Sequence, residues 1–383
     1  MTPSEPNLIG AYGAWASEIV GRKAGAFSLR SGRFTDTDTW RAQARARVWE
    51  RLAAPELPTT PEVSVDWTGA YDGLTVERLS WQSPYGPRTE AVFLKPEGVM
   101  EPLPAILALH DHGGLKYFGW RKIARIESDL HPILQEHQES GYGGFAWANE
   151  IAKRGYAVLV PDTFTFGSRR VKVSDVPSRI VGRGVDPSPE EPSEEIVAYN
   201  RWAGEHEHIM AKSLFSAGTT WPSLFLRDDQ IALSILSERP DVISERIGCG
   251  GLSGGGLRTV FLAGMDDRIQ CCFCAGFMTT WRDFALYKNF THTWMTYVPL
   301  LPHDLDFPEI LGLRAPKPTL VLHCTSDPLF TNSEVEVSRQ ILAEVYERAG
   351  APEAFRLTYY EGGHKLDAPM QAEAFDWLDA GLK

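Results

Sequence analysis

From about residue 104 onward, short apolar runs alternate with longer amphipathic segments. Such runs are typical of strands buried on both faces, and the segments between them have helical spacing. The alternation predicts an α/β domain with a mostly parallel central sheet and helices on both faces. We predict strands at residues 105–109, 157–160, 247–252, 269–275, 319–324 and 355–360, and helices at 145–154, 223–238, 254–265, 333–349 and 370–380.

The chain before residue 104 carries weaker signals. Two β-like segments, 75–82 and 89–95, flank a Ser-Pro-Tyr-Gly-Pro sequence whose proline and glycine favour a turn, which predicts a hairpin. Residues 1–60 contain one helical segment, 39–53, and become rich in proline toward their end. We expect residues 1–60 to be an N-terminal extension that packs on a domain formed by residues 61–383.

Three stretches interrupt the alternation, at about residues 116–143, 163–221 and 279–313. Loops of this length inside a compact domain are usually lids or binding segments. We call them the first, second and third insertions, and we expect them to cover a substrate site.

The sequence GLSGG at residues 251–255 is a G-x-S-x-G motif. Alone it is weak evidence, because glycine and serine frequencies produce it by chance in about one unrelated chain of this length in ten. Its position between the predicted strand 247–252 and helix 254–265 is that of a nucleophile elbow, in which a strained turn exposes the serine hydroxyl above the sheet edge. We therefore predict that Ser253 is a nucleophile. An ordinary serine in a glycine-rich turn is the alternative.

A serine hydroxyl needs a base to remove its proton, and the base needs an acid to orient it. In hydrolases with a nucleophile elbow, the acid and then the histidine follow the serine along the chain. Asp327 comes just after the predicted strand 319–324, and His364 follows the last strand on a glycine-rich loop. Both can therefore reach the carboxyl edge of the sheet. Asp283, which follows the preceding strand, is the rival acid.

Acyl transfer also requires two N–H donors for the developing oxyanion. The N–H of Gly254 directly follows the nucleophile and is the first expected donor. The loop HDHGG at residues 110–114 follows the strand 105–109, and we assign the second donor to the His112 N–H. A glycine-rich turn without this role is the alternative. His110 is expected to be a packed, hydrogen-bonded histidine that supports the loop.

The formal net charge of −12 disfavours nucleic acids and anionic membranes as partners, because both favour clustered Lys and Arg. No segment approaches the roughly 18 apolar residues of a membrane helix, and the first residues lack the pattern of a signal peptide. We expect a cytoplasmic protein that acts on a small molecule. The sequence leaves homo-oligomer formation open.

Side chains that often bind metals do not form a metal motif. The five cysteines lie in apolar segments, and Cys271 and Cys272 should point to opposite faces of one strand, so we expect buried free thiols. His206 and His208 have no third ligand nearby, which favours a solvated acidic segment. The sequence predicts neither a metal ion nor a cofactor.

Several side chains of the insertions are candidates for substrate contact. Aromatic residues there could wall a pocket, although simple packing is the alternative for each of them. Basic residues could meet an acidic substrate group, but for these we expect solvated surface. The aromatic candidates are Trp221, Trp281 and Trp294, with Phe164 and Phe166, and the basic ones are Arg282 and Lys116.

At these residues the chain resembles a known family. The sequence GLSGGG, the HDHGG loop, the segment ANEIAKRGYAVLVPDTFTFGS and the sequence MDDRI are similar to α/β-hydrolases of the dienelactone hydrolase and acetyl xylan esterase-like group. The resemblance covers about residues 75–383. Dienelactone hydrolases carry Cys where this chain has Ser253, and many relatives carry Gly where it has Asp111.

The resemblance implies an α/β-hydrolase fold with lid-like insertions, in which residues 61–383 form the catalytic domain. It also implies a Ser253–Asp327–His364 triad that hydrolyses carboxylic esters through an acyl-enzyme. Short acyl or acetyl esters, including esters on carbohydrate, are the lead substrates. An amidase or peptidase with the same triad is the alternative among hydrolases. A non-catalytic scaffold protein is the alternative from another class, and the intact triad argues against it.

Overall fold

The computed structural model describes residues 6–20 and 24–383, and the nine strands of this part form one sheet. The strands are β1 (Val63–Tyr71), β2 (Leu74–Trp81), β3 (Thr89–Pro96), β4 (Leu103–Ala108), β5 (Ala157–Pro161), β6 (Val242–Leu252), β7 (Ile269–Ala275), β8 (Thr319–Cys324) and β9 (Phe355–Tyr360). The helices are α1 (Gly13–Val20), α2 (Thr37–Leu52), α3 (Pro132–Tyr142), α4 (Trp147–Lys153), α5 (Ser193–Ser216), α6 (Trp221–Ser237), α7 (Gly254–Met265), α8 (Trp281–Asp283), α9 (Phe307–Gly312), α10 (Asn332–Arg348) and α11 (Ala368–Leu382).

The strand order is β1-β2-β3-β5-β4-β6-β7-β8-β9. Neighbours are antiparallel from β1 through β3 to β5, and every pair from β5 and β4 to β9 is parallel. The predicted mostly parallel sheet is confirmed, as is the predicted hairpin, which forms β2 and β3. Because β4 to β9 run the same way, their carboxyl ends meet at one edge of the sheet.

Both faces of the parallel strands are covered, as the pattern of apolar runs predicts. Alternate side chains of a strand point to opposite faces. On β4, Leu107 lies in a core with residues of α6 and α7, whereas Ile106 lies in a second core with residues of α4 and α11. On β7, Cys272 belongs to the first core and Cys271 to the second, so these two thiols point to opposite faces as expected.

All five cysteines are buried with free thiols, as predicted. Burial raises the pKa of each thiol, most strongly at Cys249 and Cys274. A thiol with a raised pKa is a poor nucleophile at neutral pH, because the thiolate is the reactive form. These cysteines therefore pack as small apolar side chains.

The insertions are less irregular than the sequence suggests. The first contains α3, and the second contains α5, which is 24 residues long and which the sequence analysis did not find. Few apolar residues mark its inner face, where Tyr199, Trp202 and Ala203 are buried, and charged residues surround them. Strand β1 was also missed, because most of its side chains are exposed. Within the described ranges, every helix is too short or too polar to cross a bilayer.

Helix α2 packs on the first core, the one that contains Leu107, through a stripe of side chains four residues apart. Trp40, Ala44 and Val48 are buried there. On the same helix, Arg41 and Arg45 donate hydrogen bonds to the carbonyl oxygens that follow α9 and end α7. Helix α2 is therefore attached to the end of α7, the helix that begins directly after Ser253.

Gly264 lies where α7 packs against α9, and a Cβ atom there would sit 2.1 Å from the Ile310 carbonyl oxygen. Since backbone cannot rotate away as a side chain can, we expect Gly264→Ala to lower the free energy of unfolding by about 1–3 kcal/mol. Gly204 on α5 has open space among the described atoms, so Gly204→Ala should raise it by about 0.5–1 kcal/mol. Urea denaturation followed by circular dichroism measures both. Equal effects would contradict the close contact.

Candidate active site

Ser253 stands at a sharp turn between β6 and α7. Its backbone has φ 59° and ψ −115°, a conformation that residues other than glycine rarely adopt. The Ser253 N–H donates to the carbonyl oxygen of Ala275, the last residue of β7, at 2.8 Å. The turn therefore has the position and the strain of a nucleophile elbow.

Two glycines of the motif allow β4 to approach the elbow. A Cβ atom on Gly251 would lie 2.2 Å from the Leu109 carbonyl oxygen, and one on Gly255 would lie 2.1 Å from it. Any larger residue at these positions would push the end of β4 away. The glycines therefore bring the HDHGG loop beside Ser253.

His364 and Asp327 form a hydrogen-bonded pair at the same sheet edge. Nδ1 of His364 lies 2.6 Å from Oδ2 of Asp327, and Oδ1 of that buried carboxylate accepts from the Leu329 N–H at 3.0 Å. With Nδ1–H donated to the carboxylate, Nε2 of a neutral imidazole carries the lone pair. Nε2 is buried and has no partner among the described residues, and His364 lines the same cavity as Ser253.

The loops that follow β7, β8 and β9 are held together near this pair. The Ser326 N–H, beside the acid, donates to the Gly362 carbonyl oxygen at 3.0 Å. Gly276 has φ 58°, and a Cβ atom there would lie 2.9 Å from Cε1 of His364. Glycine at this position therefore lets the imidazole lie against the end of β7.

Asp283, the rival acid, has another role. Its fully buried carboxylate accepts hydrogen bonds from the Thr279 hydroxyl at 2.8 Å and from the hydroxyl and N–H of Thr331 at 2.6 and 3.0 Å. It thereby ties the third insertion to the start of α10. The histidine is paired with Asp327 instead.

The two expected oxyanion donors lie side by side. A Cβ atom on Gly254 would sit 2.7 Å from the His112 nitrogen. Gly254 begins α7, and N–H groups of a first helical turn have no partner within the helix. The His112 N–H also makes no hydrogen bond within the described chain. Two free donors therefore flank the position of Ser253.

The His112 side chain has a defined tautomer. Its Nδ1 accepts from the Gly114 N–H at 3.0 Å, so Nε2 carries the proton and donates to Oε1 of Glu207 at 2.7 Å. Burial and the neighbouring Lys116 lower the pKa of this imidazole, which favours its neutral form. His110 is buried as predicted, and its Nδ1 donates to the Asp111 carbonyl oxygen at 3.0 Å.

Glu207 on α5 joins the HDHGG loop to all three insertions. Its Oε1 lies 2.7 Å from Nζ of Lys116 as well as from His112, and its Oε2 accepts from the Thr293 hydroxyl at 2.7 Å and the Trp294 N–H at 3.0 Å. Burial alone would raise the pKa of Glu207, but Lys116 and His112 outweigh it and hold the pKa well below its usual range. The carboxylate is therefore ionised while buried.

These contacts correct two predictions. Lys116 was expected on the solvated surface, but it is buried, because Glu207 neutralises it and the Phe166 ring lies 4.4 Å from its ammonium. The segment of His206 and His208 was expected to be solvated, but His206 is buried and stacks on Trp202 with 4.9 Å between ring centroids. His208 is exposed. The described residues include no group of three side chains able to hold a metal ion.

A cavity of about 520 Å³ contains Ser253 and His364. All three insertions contribute to it, for example through Ser140, Gly204 and Thr296. Among the described residues, no lysine or arginine lines it. Its apolar wall comprises Leu252, Leu257, Phe277, Phe290, Met295, Leu329 and Phe330.

The three tryptophans predicted to contact substrate lie outside the lining of this cavity, as the described residues form it. Trp221 and Trp281 are buried, and their indole N–H groups donate to the carbonyl oxygens of Phe164 at 3.3 Å and Leu305 at 3.0 Å. Trp294 is partly exposed. Trp221 and Trp281 therefore pack inside the protein, and their indole N–H groups already have partners.

The remaining insertion candidates also contact protein. The Phe166 ring packs edge-on against the His112 ring, with 5.3 Å between the ring centroids. The Phe164 carbonyl oxygen accepts the hydrogen bond from the Trp221 indole. Neither ring is part of the cavity wall in the described chain. Arg282 is mostly buried in an ion pair with Glu334 at 3.1 Å, so the expectation of solvated surface is wrong for it too.

Several polar residues at the cavity were not found from the sequence. His137 places Nε2 3.1 Å from the Asp111 carboxylate, and His292 has a buried Nε2 with no partner among the described residues. Burial lowers the pKa of His292 to about 4. Glu207 was overlooked because its partner His112 is 95 positions away. No local pattern could have indicated that contact.

The nine-stranded, mostly parallel sheet with helices on both faces, and the sharp turn from β6 into α7 at Ser253, define an α/β-hydrolase fold. Solved structures agree with it. A Bacteroides fragilis protein described as a "putative acetyl xylan esterase" superposes with a TM-score of 0.68 at 15% identity, over 94% of this chain and 84% of that one. A glucuronoyl esterase from Solibacter usitatus superposes with a TM-score of 0.64 at 15% identity, over 94% and 98%.

Among curated proteins, the chain is 27% identical over 296 residues to the Bacillus subtilis (strain 168) protein named "Putative hydrolase YtaP". The match covers 77% of this chain and 84% of the relative. No protein-family model matches the chain.

We expect Glu207→Gln to lower the free energy of unfolding at pH 7 by about 3–5 kcal/mol, because Lys116 would stay buried without its counter-charge. The folded-state pKa of Glu207 lies below its ordinary value of 4.5, so its ionisation stabilises the fold above pH 4.5 and less as the pH falls further. The difference between the two proteins should therefore shrink below pH 4.5. Urea denaturation at several pH values measures it.

The matched control for this experiment is Glu205→Gln, which removes an exposed carboxylate from the same helix. It should change the free energy of unfolding by less than about 0.5 kcal/mol. A Glu207→Gln difference that stays constant from pH 7 to pH 3 would contradict the buried, ionised carboxylate.

Proposed function

We propose that this chain is a serine hydrolase that cleaves carboxylic esters, with Ser253 as nucleophile, His364 as general base and Asp327 as the acid that orients it. One observation carries the proposal. The bond of 2.6 Å to Asp327 fixes the His364 ring, and its unpartnered Nε2 is available in the cavity that contains Ser253. This is the relation between acid, base and nucleophile that acyl transfer requires.

In the proposed reaction, Oγ of Ser253 attacks the ester carbonyl carbon while Nε2 of His364 takes the hydroxyl proton. The carbonyl oxygen becomes an oxyanion that accepts hydrogen bonds from the N–H groups of Gly254 and His112. When the carbon–oxygen bond breaks, the alcohol takes the proton from Nε2 and leaves an acyl-serine. Water then attacks that acyl group by the same steps, which release the acid and restore Ser253.

The cavity supports a small, uncharged acyl group as the substrate part next to Ser253. Its apolar wall favours short alkyl or acetyl groups, and the described lining offers no lysine or arginine to neutralise an anionic one. The superposed structures are named as a "putative acetyl xylan esterase" and a glucuronoyl esterase. We therefore propose short acyl or acetyl esters, including esters on carbohydrate, as substrates.

We expect Ser253→Ala to abolish hydrolysis of p-nitrophenyl acetate and to prevent labelling by a fluorophosphonate probe, because the proposed acyl-enzyme forms on the Ser253 hydroxyl. Ser244→Ala, a substitution at the opposite end of the same strand β6, should leave both unchanged. Mass spectrometry of the labelled protein locates the adduct. Wild-type protein without any adduct at Ser253 would favour a binding or scaffold protein, and faster cleavage of matched amides than of esters would favour an amidase.

We expect Gly254→Ala to lower kcat for p-nitrophenyl acetate by about 10²- to 10³-fold, the usual effect of losing one oxyanion donor. The added methyl group would meet the His112 nitrogen and push it from the donor position. KM should change much less, because the oxyanion forms only in the transition state. Steady-state kinetics at saturating ester distinguishes the two parameters, and an unchanged kcat would contradict the donor assignment.

A further inference from the structure

Lys122 is a fully buried lysine of the first insertion that lies beneath the HDHGG loop. Its Nζ donates to the carbonyl oxygen of Asp111, and it reaches the carbonyl oxygen of His112 at 3.2 Å. No sequence pattern marks this residue, and the reaction proposed above does not use it. Burying an ammonium group is unfavourable unless its hydrogen bonds and its charge are satisfied, so the contacts of Lys122 call for an explanation.

The contacts of Lys122 fix the orientation of the peptide unit between Asp111 and His112. In a planar trans peptide, the C=O and N–H groups point in opposite directions. The Asp111 carbonyl and the His112 N–H belong to one peptide unit. Because that carbonyl points at Lys122, the His112 N–H must point to the other side of the loop. Gly254, the other expected donor, packs against this peptide unit, since a Cβ atom on it would lie 2.7 Å from the His112 nitrogen.

Further contacts hold this peptide unit in place. Nδ1 of His110 also donates to the Asp111 carbonyl oxygen, at 3.0 Å, so two donors fix that oxygen. The Lys122 ammonium itself lies 4.5 Å from the centre of the Phe166 ring and 3.7 Å from the Asp111 carboxylate. A cation at a carbonyl oxygen also polarises the peptide, which makes its N–H a stronger donor.

We infer that Lys122 is a positioning residue for this reaction, because its buried ammonium orients the peptide unit that presents the His112 N–H to the oxyanion. The inference rests on the proposed function. Lys122 should therefore stabilise the transition state without affecting substrate binding, since it does not line the cavity of the described chain.

The charge on Lys122 should be visible in the pH dependence of the reaction. Burial lowers the pKa of Lys122 to about 8, with Lys116 and Arg258 acting in the same direction and Asp111 and Asp162 opposing them. The neutral ring of His110 completes its polar surroundings. Lys122 therefore carries its charge below about pH 8 and loses it above.

The first experiment is the pH profile of kcat/KM for p-nitrophenyl acetate in the wild-type protein, corrected for spontaneous hydrolysis. We expect the rate to fall as the pH rises through about 8. Lys122→Arg should move this fall to higher pH, because a guanidinium stays charged. Lys95→Met, which removes a mostly buried lysine that is paired with Asp241 just before β6, should keep the fall where it is.

The second experiment is Lys122→Met, which should lower kcat by about 10²-fold, the effect of misplacing a catalytic group by about 1 Å, with little change in KM. This variant leaves the Asp111 carboxylate buried without its counter-charge, so the double variant Asp111→Asn with Lys122→Met is made as well. It removes both charges and should fold with the same loss of kcat. Affinity for phenylboronic acid, which forms a tetrahedral adduct with the serine, should fall in the same proportion.

A wild-type kcat/KM that stays constant from pH 7 to pH 9.5, or a folded double variant with wild-type kcat, would overturn the role of Lys122. Either result leaves the proposed function intact if Ser253 is still labelled. A wild-type protein that neither hydrolyses esters nor forms an adduct at Ser253 would instead refute the proposed function itself.

Discussion

A buried ion pair between Glu207 and Lys116 holds the insertions over the sheet edge. Each charge alone would be strongly unfavourable inside the protein, so each can be buried only when the other is in place. Lys116 comes from the first insertion and Glu207 from the second, and the third supplies two more hydrogen-bond donors to the same carboxylate. The three insertions therefore depend on one another, and the cavity they form with the sheet edge exists only when all three are assembled.

Beneath the insertions, the ends of the sheet strands set the positions of the three candidate triad residues. Ser253, Asp327 and His364 each follow the carboxyl end of a different parallel strand, and backbone hydrogen bonds between neighbouring strand ends fix their loops. Glycine is required wherever these loops come closest, as at Gly251 and Gly255 against the Leu109 carbonyl. The sheet thus provides the alignment of nucleophile, base and acid.

The parts of the molecule that local sequence determines could be predicted. Buried strands leave continuous apolar runs, so β7, β8 and β9 were placed to the residue, and each candidate triad member could be found just after its strand. The insertions could not be predicted in this way, because their structure depends on pairs far apart in the chain. Glu207 and Lys122 have no local signal, and an aromatic residue such as Trp281 has the same pattern whether it contacts protein or ligand.

The candidate triad and the candidate oxyanion donor are thus held in place by different parts of the fold. The nucleophile and its base are fixed by strand ends, whereas His112 is held from one side by Lys122 and from the other by Glu207, both of which belong to insertions. Insertions are the parts of such folds that tolerate divergence most readily. A descendant that exchanged its second insertion for another would keep an aligned serine and histidine, yet it would have to rebuild the support for its oxyanion donor. A substitution of that insertion would therefore alter the substrate range and the turnover rate at the same time.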